Sequence, residues 1–105
     1  MITTQAKIIN QLKTLEALSQ QGGYSDIVAL SLRKIIIHEK NNIQVQIQEL
    51  ETGLQVFEQQ YQLSSEDFYR QFKTGQLEDD IDFVEWSIFY EIWLDLQKRL
   101  TLIQH

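Results

Sequence analysis

The chain has 105 residues, no cysteine, no proline and a formal net charge of −6. That length supports one modest core, the absent cysteine excludes disulfides and thiolate metal sites, and the absent proline removes the strongest helix breaker. Charge is divided, with net +2 over residues 1–48 and net −8 over residues 49–105, so the second half repels phosphate and attracts basic partners.

The first predicted element is a helix over residues 3–20, with Thr3 or Thr4 as N-cap and Ile8, Ile9, Leu12, Leu15 and Leu18 at helical spacing. Gly22-Gly23 closes it, since glycine takes the left-handed conformation of helix ends without steric cost. A second helix is predicted from 25 to 61, with Asn41-Asn42 as its weakest point. Ile36, Ile43, Leu50 and Phe57 repeat every seven residues, and Ile47, Leu54 and Tyr61 form a companion row, which is a coiled-coil-like seam. Upstream, residues 27–37 are apolar on every side, and one short neighbouring helix covers only part of such a segment. Ile27, Leu30, Ile35, Ile36 and Ile37 are therefore the expected contacts of a homo-oligomer. A competing reading makes residues 35–48 a β-hairpin, because Ile35-Ile36-Ile37 is β-branched, Asn41-Asn42 can turn, and residues 43–48 alternate strictly.

A short helix is predicted over 64–74, with Ser64 as N-cap, acids in its first turn, Phe68 and Phe72 on it, and Gly75 at its end. A last helix is predicted over 79–102. It carries two apolar stripes: Phe83, Trp86, Tyr90, Trp93, Leu94 and Leu100 in one, Ile81, Val84, Ile88 and Ile92 in the other, with acids between them. One stripe is expected to pack antiparallel on the heptad seam, leaving the other for a second protein. The alternative is that the first or third helix covers it. The expected partner-binding residues are Glu78, Asp79, Asp80, Asp82, Glu85, Trp86, Phe89, Tyr90 and Trp93. The expected fold is an all-α, elongated antiparallel hairpin of four helices with a long central one, a single domain whose residues 1–48 serve packing and oligomerisation and whose residues 49–105 bind the partner.

Catalytic readings find little support. His38 and His105 read as surface residues, and Asp79, Asp80 and Asp82 lack the loop pattern of a calcium site. Neither a phosphate-binding glycine loop nor a nucleophile and base at motif spacing is present, so no enzyme activity, cofactor or metal is expected. Lys7, Lys13, Arg33, Lys34 and Lys40 are too scattered for a nucleic-acid footprint. With no signal-peptide pattern and no apolar run long enough to span a bilayer, a cytoplasmic, membrane-free setting is expected.

The run Leu54-Gln55-Val56-Phe57-Glu58-Gln59-Gln60-Tyr61-Gln62-Leu63-Ser64-Ser65-Glu66-Asp67-Phe68, followed by Asp79-Asp80 and Glu85-Trp86, resembles a group of small acidic helical proteins of cyanobacteria and archaea regarded as antitoxins. The resemblance covers roughly residues 50–93. It implies a subunit that neutralises a small toxin, often of ribonuclease type, by direct contact. An acidic, aromatic surface suits a basic RNA-cleaving partner on charge alone.

Overall fold

The computed structural model describes residues 3–104; His105, read above as a surface histidine, lies outside the described residues. Among these the chain is all-α, with helices α1 (Thr4–Gln20), α2 (Asp26–Tyr61), α3 (Ser65–Lys73) and α4 (Ile81–Ile103). Residues 35–48 lie inside α2 and Asn41-Asn42 is helical, so the hairpin reading falls. A seven-residue apolar repeat that continues to Tyr61 needs an unbroken helix to bury one seam. The packing divides the chain into two compact units, one ending at Ile36 and one beginning at Ile37.

The first unit holds α1 and the start of α2. Thr3 caps α1 by accepting the Ala6 N–H at 3.1 Å, and Gly23 N–H closes it onto the Leu18 carbonyl at 2.9 Å. No α1 residue is buried. Val28 and Leu32 are half-buried, while Ile27, Leu30, Ile35 and Ile36 are exposed in the single chain.

The second unit contains the core. Leu54, Phe57, Phe68 and Trp86 form one buried cluster. Pairing runs in opposite directions along the two long helices: Gly53 lies against Phe89, Phe57 against Trp86 and Phe89, and Tyr61 against Phe83. The rest of α2 and α4 are therefore antiparallel. The reversal is built locally. Gln62 takes a left-handed φ of 52° while Leu63 N–H reaches back to the Glu58 carbonyl at 3.3 Å, which ends α2. Ser64 caps α3 through the Asp67 N–H at 3.1 Å. Gly75, with φ of 75°, supplies the same left-handed closure after α3. Asp80 then caps α4 by accepting the Asp82 N–H at 2.8 Å, so α4 begins at Ile81 rather than at Asp79.

Candidate functional site

The site begins with what α4 gives to the core. Trp86 is 0% exposed and stacks on Phe68, itself 0% exposed, at a centroid distance of 3.8 Å with planes 4° apart. Its indole N–H donates to Ser65 Oγ at 2.9 Å, meeting the need of a buried tryptophan for an acceptor. Trp86, expected as a surface anchor, is instead the centre of the fold, because the first turn of α3 folds over it. Phe89, Tyr90 and Trp93 are half-buried: Phe89 rests on Phe57, and Tyr90 stacks on Trp93 and meets Tyr69.

The acids divide in the same way. Asp82 is half-buried and accepts the Tyr61 hydroxyl at 2.6 Å. That bond, with burial and the nearby carboxylates of Asp82 and Asp80, pushes the Tyr61 hydroxyl up to about 12. Glu91 accepts the Tyr69 hydroxyl at 2.8 Å and pairs with Lys73 at 3.6 Å. The bond to Glu91, reinforced by burial, raises the Tyr69 hydroxyl as well. Glu78, Asp79 and Glu85 are exposed and enter no ion pair among the described residues. Asp80 is committed to capping.

The second stripe of α4 is open. Ile81 is 81% exposed and Ile88 49%, with Val84 and Ile92 comparably exposed. Ile92 borders a shallow groove shared with Leu50, Gly53 and Phe89. The candidate site is therefore the row Ile81, Val84, Ile88 and Ile92, flanked by Glu85 and preceded by Glu78 and Asp79, on a helix whose other face is locked by aromatic packing. The expected oligomer contacts are also exposed, Ile27 at 77% and Leu30, Ile35, Ile36 and Ile37 at half or more.

Sequence reasoning missed Ser65, Leu96 and Glu58. Ser65 and Leu96 are buried, and Glu58 accepts the Ser65 N–H at 2.7 Å, holding the start of α3 to α2. The spacing of Leu96 from Trp86, Phe89 and Trp93 on a helical wheel could have placed it inward; Ser65 has no comparable signal, since only the position of Trp86 gives it a role. The Phe57-Glu58-x-x-Tyr61 run that carries the resemblance is thus made of residues that build the unit: a core stack, a cap across elements and a carboxylate-bound hydroxyl. No group of three or more metal-ligating side chains occurs among the described residues, and no described helix is long and apolar enough to cross a membrane. No protein family model, curated protein or solved structure matches the chain.

Proposed function

We propose that the chain is a non-enzymatic, antitoxin-like protein that neutralises a small basic toxin in the cytoplasm by direct contact through the outer face of α4. The observation that carries this reading is the exposed row Ile81, Val84, Ile88 and Ile92 beside unpaired acids. Contiguous apolar side chains facing water, rimmed by charge, mark protein interfaces. The row supplies area and the acids steer a cationic partner into register. A basic ribonuclease fits that charge, and carboxylates lying where its substrate phosphates would sit would block it.

The test is co-expression with a small basic protein encoded by a neighbouring gene, and a neighbourhood that encodes none contradicts the reading. The parent chain should restore growth, and Ile88→Glu or Ile92→Glu should lose that effect while keeping the parent melting temperature. Undiminished rescue by both variants, or the absence of any growth defect to rescue, contradicts the reading.

A self-assembling structural protein is the second reading, in which the exposed row of α4 serves contacts between copies together with the first unit, where Ile8, Ile9, Leu12 and Leu18 of α1 join the exposed residues of α2. It predicts that Ile88→Glu weakens self-association, whereas the antitoxin reading predicts unchanged self-association and loss of the foreign partner alone.

A further inference from the structure

Beside the start of α3, the second unit has an open groove of about 290 Å³ lined by Glu51, Leu54, Glu58, Glu66, Tyr90 and Trp93. Its wall is aromatic: Tyr90 and Trp93 stack with centroids 5.6 Å apart and planes 15° apart. Its remaining charge is anionic and uncompensated. The ion pairs among the described residues involve Asp67, Glu91 and Asp95, and none of the three glutamates of the groove. Glu58 uses one carboxylate oxygen to hold the Ser65 N–H, which answers the partial positive charge at the start of α3 and leaves Glu51 and Glu66 facing water. One donor is also unmet: Trp93 Nε1 is buried and has no acceptor among the described residues.

We propose that this groove receives an arginine side chain of a basic protein partner, the guanidinium lying against Tyr90 and Trp93 and donating to the carboxylates of Glu51 and Glu66. A planar, weakly hydrated cation with several N–H donors can stack on a ring face and bond to carboxylates on two sides at once, whereas an ammonium is a compact, strongly hydrated point charge. A bare metal ion fits poorly, because the carboxylates do not converge as a ligand cluster. Burial, and to a smaller extent the carboxylates of Glu66 and Glu58, raises the Tyr90 hydroxyl above its ordinary value. The identification of the occupant as part of a protein rests on the function proposed above; the guanidinium chemistry does not.

The experiment titrates the intact, isotope-labelled chain with the capped peptide Gly-Gly-Arg-Gly-Gly and with its lysine and citrulline counterparts, following the two indole N–H resonances. The arginine peptide should move the Trp93 resonance saturably and leave that of Trp86, bonded to Ser65, in place. Citrulline, the neutral isostere, should bind on the order of tenfold more weakly, and lysine should fall between them. The double variant Glu51→Gln with Glu66→Gln, at two exposed positions, should weaken the arginine peptide by about fivefold with unchanged circular dichroism. No saturable shift of Trp93, equal binding of citrulline or lysine, or an unaffected double variant overturns the proposal. Peptide binding without growth rescue refutes the toxin-neutralising function and keeps the groove, and rescue without peptide binding does the reverse.

Discussion

Trp86 and its neighbours separate the buried face of α4 from its exposed face residue by residue. Because Trp86 is enclosed by Phe57, Tyr61 and Phe68, Trp86→Ala should destabilise the chain by about 3–5 kcal/mol, read as a lowered denaturant midpoint. Ser65→Ala removes the acceptor and leaves a buried indole N–H unmet, which should cost about 1–3 kcal/mol with the helix content unchanged. The Tyr61–Asp82 bond makes a pH prediction. The Tyr61 hydroxyl ordinarily ionises near 10.0 and in the fold near 12, so the folded chain holds this proton more tightly than the unfolded one. Its contribution is fully present below about pH 10 and disappears as pH rises through about 12. Thermal melts across that interval should show stability falling with pH, less steeply in Tyr61→Phe; Tyr69 and Tyr90, also raised, account for the slope that persists. An identical slope in Tyr61→Phe contradicts this assignment. Asp82 is therefore a fold residue as well as an acid, and Glu85, which is exposed, gives the clean steering test. Glu85→Lys should slow association with a basic partner several-fold and reduce its salt dependence, leaving stability within about 0.5 kcal/mol of the parent.

Among the elements, caps and periodicity make the four helices legible in the sequence. Ser64, Gly22-Gly23 and Gly75 stand where local chemistry requires a start or a stop, and the seven-residue seam buries Ile47, Leu54 and Phe57, leaves Ile43, Leu50 and Tyr61 half-buried and, in the first unit, leaves Ile36 exposed. What was not legible is which side of α4 faces inward. Both stripes are apolar, so the choice depends on where α3 lands, and α3 lands on Trp86 through Ser65, a contact between residues far apart in sequence. The same limit applies to the groove, since Glu51, Glu58, Glu66 and Trp93 come from three helices that only the fold brings together. Gly53 carries a further consequence. It sits inside α2, where glycine is poorly suited, and a Cβ there would meet Phe89 at 3.5 Å, an ordinary contact distance. Gly53→Ala should therefore stabilise the chain by roughly 0.5–1 kcal/mol, seen as a raised melting temperature. A lowered one would mean that Phe89 has no room to accept the methyl group.

For the whole molecule, the division of charge follows the division of packing. Glu39 and Lys40 cancel, so the unit ending at Ile36 carries net +2 and the unit beginning at Ile37 carries net −8. One unit is apolar and mildly basic with no buried α1 residue; the other has an aromatic core and an acidic exterior. This separation suits two different contacts, self-association through the first unit and a basic partner on the second. Self-association predicts a mass above the 12.4 kDa of one chain at micromolar concentration, with Ile35→Glu and Ile36→Glu returning it to the monomer. A monomeric parent contradicts that assignment without touching the second unit.

α4 turns one face to its own core, and comparing Trp86→Ala with Ile88→Glu tests whether the other face meets a partner as proposed. For each variant, calorimetric stability is measured beside affinity for the basic partner that the proposed function requires, sought among the products of neighbouring genes. Trp86→Ala should lose stability by several kcal/mol, whereas Ile88→Glu should melt like the parent and lose affinity on the order of tenfold or more. The account is contradicted if Ile88→Glu binds as tightly as the parent, or if its loss of binding comes only with a matching loss of stability.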